Sequence, residues 1–137
     1  MYLRSIIFTL IALLALPANA DRFEPMGGIY LDSFSGFSAK IGSAYTFEPE
    51  NASTASSRFF YSDVELGTKA RKIAFGYGAI SSAATIRLGL SLAREEGDNF
   101  IGLESVGNIW LMTIKIGAYN NTSTSDKVLS FGVGIGF

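Results

Sequence analysis

Residues 129–137 read LSFGVGIGF, and this stretch decides the fold class because its side chains alternate between two kinds. The odd-numbered positions carry large apolar side chains and end with Phe137, whereas the even-numbered positions carry Ser130 and three glycines. A period of two predicts a β-strand with one apolar face and one face of small residues. Because the predicted strand ends on this aromatic residue, we expect the C-terminus to be held in place and not frayed.

The same alternation recurs along the chain, in GFSAKIGSAYTF (36–47), SAATIRLGLSLAR (82–94) and NIWLMTIKIGAY (108–119). No long stretch after residue 21 has helical periodicity. Breaks rich in Gly, Ser, Asn, Asp, Thr or Pro separate the segments, among them one at SVGN (105–108). The predicted strands lie near 26–34, 36–47, 58–67, 71–80, 83–93, 99–105, 108–119 and 127–137.

The first twenty residues have the features of a secretory signal peptide. Arg4 supplies the positive charge, an apolar run extends from Ile6 to Leu16, and Ala18-Asn19-Ala20 matches the small-residue cleavage pattern. The apolar run is too short to span a bilayer as a helix. We therefore predict a signal peptide at 1–20, cleaved after Ala20, and one β-domain at 21–137.

Composition narrows the range of functions. The chain contains no cysteine and no histidine, so disulfides, zinc sites built on these residues, Cys nucleophiles and Ser-His arrangements are excluded. Its formal net charge of −1 is not the basic footprint of a nucleic-acid-binding protein. We expect no cofactor, no metal site and no nucleic-acid partner.

The character of the two strand faces predicts which one points inward. The apolar face is long and continuous, while the opposite face carries small residues with about one charge per strand instead of the many charges of a solvated surface. Small residues suit a narrow lumen, and a continuous apolar face suits lipid. The prediction is an all-β, eight-stranded antiparallel up-and-down transmembrane β-barrel, since eight tilted strands of roughly 9–11 residues fit the chain and leave an interior that side chains can fill.

The signal peptide, the alternation and the terminal Phe137 together resemble the small bacterial outer-membrane β-barrels of the eight-stranded type, such as the OmpA membrane domain and OmpX. This resemblance implies a location in the outer membrane, contact with outer-membrane lipid and lipopolysaccharide, and a monomeric state. It also implies that Phe137 is the assembly signal read by the outer-membrane assembly machinery. The short predicted outer loops depart from the pattern of longer extracellular loops in this group.

Strand alternation assigns a set of charged side chains to the lumen, together with Tyr30. These charged residues are Asp32, Lys40, Asp63, Glu65, Arg87, Glu104 and Lys115. The predicted registers bring Arg87 close to Glu104, and Lys40 close to Asp63 and Glu65. We interpret the set as a structural ion-pair network that fills a plugged interior, with a proton or ion path as the functional alternative. Four aromatic residues are predicted to form an interface girdle at one rim: Phe47, Phe60, Trp110 and Phe137.

These features favour a non-enzymatic barrel with a structural or surface-interaction role. Outer-membrane barrels that modify lipid A use histidine, which this chain lacks. The carboxylate pair Asp63 and Glu65 is predicted to point into the crowded lumen, where a substrate has no cleft. Two alternatives stay open: a minimal outer-membrane pore for small solutes, and a soluble periplasmic lipocalin-like barrel whose apolar face binds an apolar ligand.

Overall fold

The computed structural model describes residues 23–47, 56–81 and 83–136. The predicted signal peptide at 1–20, its cleavage site and the predicted assembly residue Phe137 lie outside the described residues. Within the described ranges, no helix is long and apolar enough to cross a membrane.

Eight antiparallel strands form one closed barrel, in which each strand pairs with its neighbours in sequence and the last pairs with the first. The strands are β1 (Phe23–Asp32), β2 (Gly36–Thr46), β3 (Ser56–Gly67), β4 (Ala70–Ser81), β5 (Ala84–Glu95), β6 (Asp98–Ile109), β7 (Met112–Asn121) and β8 (Lys127–Gly136). The prediction of an all-β, eight-stranded, antiparallel up-and-down barrel is confirmed.

The barrel has two distinct rims. At the terminal rim, β1 begins at Phe23 and β8 ends at Gly136. At the opposite end, the turn rim, short connections at 33–35, 68–69, 96–97 and 122–126 join the strands. Consecutive strands therefore run between the same two rims, and each side chain has a definite depth along the barrel.

The two faces of the strands point in the directions that the alternation predicts. Large apolar side chains on all eight strands are exposed on the outside, whereas many small residues and the charged residues midway along the barrel, such as Glu65 and Lys115, are buried inside. The glycines of β8 illustrate the reason for their size. A Cβ atom at Gly134 would lie 2.4 Å from Cδ1 of Tyr30, and one at Gly136 would lie 2.6 Å from its Oη. The glycine face of the closing strand therefore makes room for the Tyr30 ring inside the barrel.

The predicted break at 105–108 is wrong. These residues belong to β6, and the actual turn lies at Trp110–Leu111, directly before β7. Trp110 adopts the left-handed conformation, with φ of 57°, which a tight hairpin requires but which Gly or Asn usually supplies. Because a bulky apolar pair forms this turn, composition pointed instead to the nearby Gly107 and Asn108.

Candidate functional site

The middle of the lumen holds three carboxylates and three lysines in mutual contact, which we call the central charged cluster: Asp32, Lys40, Glu65, Lys72, Glu104 and Lys115. Six different strands contribute one side chain each. These side chains are at most 2% exposed. Asp63 beside Lys40, and Arg87 beside Asp63, add one further buried charge of each sign. The positive and negative charges are therefore equal in number, as burial in a low-dielectric interior requires.

Lys115 and Glu65 form the tightest contacts of this cluster. The Lys115 Nζ lies 2.7 Å from Asp32 Oδ2 and 2.7 Å from Glu65 Oε2. Glu65 also lies 3.4 Å from the Lys40 ammonium and 3.3 Å from that of Lys72. Its carboxylate is therefore shared by three lysines, and it accepts a further hydrogen bond from Ser38 Oγ at 2.8 Å.

Glu104 anchors the other side of the cluster. It accepts hydrogen bonds from the ammonium groups of Lys40 and Lys72, each at 2.9 Å, and from the Tyr119 hydroxyl at 2.6 Å. Lys40 also contacts Asp63 at 3.5 Å and lies directly opposite Glu65 across β2 and β3. The predicted proximity of Lys40 to Asp63 and Glu65 is therefore present in the structure.

Arg87 does not pair with Glu104, and that predicted contact is wrong. Arg87 lies opposite Val106, two residues from Glu104 along β6, and Glu104 faces Gly89. The Arg87 guanidinium instead lies 4.0 Å from Asp63 Oδ2 through Nη1. The two-residue offset places Arg87 nearer the terminal rim than Glu104, whose oxygens are occupied by Lys40 and Lys72.

The sequence reasoning missed Lys72 and Tyr119. Lys72 lies on the same face of β4 as Ala74, Gly76 and Gly78. Small residues mark the lumen face of the other strands in the same way. That pattern was a usable signal. Tyr119 also lies on the lumen face of its strand, with Lys115 and Gly117. Only its contacts with Glu104 and Phe34, which lie far away in the sequence, had no local signal.

An aromatic plug closes the lumen at the turn rim. Phe34 stacks on Tyr119 with ring centroids 4.4 Å apart and meets Phe100 edge-on at 5.2 Å. Phe34 belongs to the turn between β1 and β2, and it is buried because the turn folds over the lumen. Asp32 Oδ1 holds this turn by accepting hydrogen bonds from the backbone N–H groups of Phe34 and Ser35.

The terminal rim contains a cavity of about 250 Å³ instead of a plug. We call it the terminal-rim cavity, and its lining residues are Glu24, Pro25, Met26, Ala44, Thr46, Ser57, Phe59, Ile80, Thr85, Arg87 and Asn108. Arg87 donates a hydrogen bond to Asn108 Oδ1 at 3.4 Å. The interior is thus sealed at one end and concave at the other.

The aromatic residues predicted to form a girdle differ in their placement. Phe47 stacks on Phe60 at 4.7 Å, and Tyr77 lies about 6 Å from both rings. Trp110 is not at the start of a strand, as predicted, but in the β6–β7 turn, where it is 86% exposed. Phe137 lies outside the described residues.

The acidic side chains of the described residues do not form a metal-binding group. Asp63 and Glu65 both point into the lumen and are buried. Within residues 23–47, 56–81 and 83–136, no group of three or more acidic side chains is arranged to hold a metal ion. No protein-family model, curated protein or solved structure matches the chain.

Proposed function

We propose that this chain is a small, monomeric, non-enzymatic outer-membrane β-barrel protein, similar to the OmpA membrane domain and OmpX, with a structural or surface-interaction role. The observation that carries the proposal is the outward apolar face. Exposed large apolar side chains occur on every strand, including Leu31, Phe37, Leu103 and Phe131. Such a surface is costly in water and stable in hydrocarbon, and closure of the sheet satisfies the backbone hydrogen bonds that lipid cannot.

Strand length is consistent with a lipid environment. The strands are 10 to 12 residues long, and about 9–11 tilted residues cross a bilayer. Because eight is an even number of crossings, the start of β1 and the end of β8 lie at the same rim. An exported chain inserted from the periplasm would keep this terminal rim on the periplasmic side. The turn rim would then face the cell exterior.

Two arginines support a contact with anionic headgroups at the turn rim. Arg71 and Arg94 lie directly opposite each other on β4 and β5, and both are exposed on the outside of the barrel. The next outward pair along these strands is Ile73 with Leu92. Like charges directly opposite destabilise a sheet unless a counter-charge is present. Lipopolysaccharide phosphates at the edge of the apolar band would supply that counter-charge.

The interior favours a structural role over a pore. The central charged cluster crosses the lumen from six strands, and the aromatic plug closes one end. We expect no steady conductance in planar bilayers, and steady ohmic channels would favour the minimal pore instead. A lipocalin-like role has less support, because the apolar face points outward and the lumen is lined mainly by polar and small residues.

Cell fractionation with gel mobility tests the location. The full chain, produced in a Gram-negative host, should be recovered in the outer membrane and should migrate differently before and after boiling. Recovery in the soluble periplasm without a heat-dependent shift would contradict the proposal. The roles of Phe137 as assembly signal and of residues 1–20 as signal peptide are parts of the same proposal.

The single tryptophan offers a sharper test. Trp110 is the only tryptophan of the chain and is exposed at the terminal rim, so lipids brominated near the headgroup should quench its fluorescence strongly. A matched variant, Trp110→Phe with Phe59→Trp, moves the indole to a buried interior position near the same rim. Quenching should then largely disappear. Equal quenching of both proteins would mean that the outer face is not the lipid-facing one.

A further inference from the structure

Arg87 is a buried cation whose hydrogen-bond donors are mostly unused. Its side chain is 4% exposed, and a guanidinium carries five N–H groups. Among the described residues, one acceptor serves them, Asn108 Oδ1 at 3.4 Å from Nη2. The Nε atom is buried without an acceptor. A buried donor without a partner is costly, so the arrangement favours an acceptor from outside the chain.

The neighbours of Arg87 position the guanidinium without satisfying it. Asp63 lies 4.0 Å from Nη1, beyond hydrogen-bond distance. Its two carboxylate oxygens are themselves buried without a hydrogen bond, and the Lys40 ammonium lies 3.5 Å away. The Tyr61 ring lies 5.6 Å from the guanidinium carbon, close enough for a cation–π contact that accepts no conventional hydrogen bond. Arg87 is therefore held at the cavity while most of its N–H groups stay available.

The terminal-rim cavity places a second donor and an apolar wall beside Arg87. Asn108 uses its Oδ1 to accept from Arg87, so its amide Nδ2 remains a donor with no acceptor among the described residues. Met26, Phe59 and Ile80 line the same cavity and present apolar surface. Two donors beside an apolar wall match a molecule with an anionic head and an apolar body.

We propose that the terminal-rim cavity binds a small monocarboxylate with a short apolar body. The carboxylate accepts hydrogen bonds from Arg87 and Asn108, and the body packs against Met26, Phe59 and Ile80. Arginine recognises carboxylates through paired N–H groups, which makes this head group the best match. The inference goes beyond the proposed function and does not depend on it, because the cavity lies inside the barrel whether or not lipid surrounds it.

The surrounding charges limit the ligand to a single negative charge. Asp63 lies beside the guanidinium, and Glu24 lines the cavity from the exposed start of β1. A dianion such as phosphate would be repelled by both carboxylates about twice as strongly as a monocarboxylate. The volume of about 250 Å³ suits a body of a few carbon atoms.

Calorimetric titration of the folded protein with hexanoate tests this assignment. Hexanamide, which has the same length but no charge, is the neutral probe. We expect hexanoate to bind in the low-millimolar range or tighter, and hexanamide at least tenfold more weakly. Arg87→Gln should reduce hexanoate affinity at least tenfold. Arg58→Gln, which changes an exposed arginine of β3 that does not line the cavity, should leave the affinity unchanged.

Two more variants keep the test decisive if Arg87→Gln fails to fold. Ala44→Leu places a larger side chain in the cavity, keeps the Arg87 side chain and should abolish binding. Glu24→Gln removes a negative charge from the cavity wall and should tighten binding about twofold. Absence of hexanoate binding to the wild-type protein, equal affinity for hexanamide, or unchanged affinity in Ala44→Leu would each overturn the proposal.

Discussion

Both ends of the lumen contain inward-pointing aromatic residues, but only the turn rim is closed by them. At the turn rim, Phe34, Phe100 and Tyr119 pack against one another and fill the interior. At the terminal rim, Phe59 and Tyr61 also point inward but leave a cavity of about 250 Å³. Aromatic content alone therefore does not determine whether the barrel is sealed.

The source of each aromatic ring explains the difference. Phe34 comes from a turn, and a turn can fold across the opening because the Asp32 carboxylate fixes its backbone. Phe59 comes from strand β3 in the barrel wall, and its ring packs against Gly78. A Cβ atom at Gly78 would lie 2.3 Å from the Cζ atom of Phe59. A ring laid against the neighbouring strand narrows the lumen without covering it. In this barrel, the closed end is the one at which a turn places an aromatic side chain across the opening.

The largest effect should follow from breaking the central charged cluster that separates the two ends. Glu65→Ala removes the carboxylate shared by Lys40, Lys72 and Lys115, and we expect a loss of about 3–5 kcal/mol in the free energy of unfolding because buried lysine charge is left uncompensated. Urea unfolding of the purified protein measures this loss. Glu65→Ala with Lys115→Ala should cost less than the sum of the single changes. Simple additivity would show that these two residues do not interact.

The next effect tests the two ends directly. Phe34→Ala should destabilise the protein by about 3 kcal/mol, since it opens a void among packed rings. Phe59→Ala should cost about half as much, because Phe59 already borders a cavity and loses fewer contacts. The same unfolding experiment compares both variants. A larger loss for Phe59→Ala would mean that the terminal rim, and not the turn rim, is the better packed end.

The smallest effects concern two glycines of β6 that lie towards opposite ends. Gly102 faces the lumen near the plug, where a Cβ atom would lie 2.6 Å from Cδ1 of Tyr119 and 2.4 Å from the Ala118 carbonyl oxygen. Gly102→Ala should therefore cost about 1–3 kcal/mol through overpacking.

Gly107 is the matched control for this substitution. A Cβ atom there would meet nothing within 4 Å, so Gly107→Ala should change the free energy of unfolding by less than about 1 kcal/mol, and in the stabilising direction. Thermal unfolding of the two variants side by side resolves the difference. Equal destabilisation would indicate that backbone conformation, and not space, sets the cost at both positions.

The sequence was sufficient for the features that depend on local periodicity. The alternation of LSFGVGIGF and its counterparts predicted eight strands and assigned Asp32, Lys40 and Lys115 to the same face as the glycines. A strand places successive side chains on opposite faces, so a period of two carries this information without any reference to distant residues. The β6–β7 turn escaped prediction because Trp110 takes a conformation that its residue type does not signal.

Only the tertiary structure decided which interior groups meet. Lys72 and Glu104 are joined across the lumen at 2.9 Å, and Arg87 is offset from Glu104 by two residues of register. These contacts depend on strand tilt, on the stagger between strands and on the way each long side chain crosses the interior. No local spacing encodes those quantities. The sequence by itself determined which side chains are inside, and closure of the barrel determined their partners, the plug at one end and the cavity at the other.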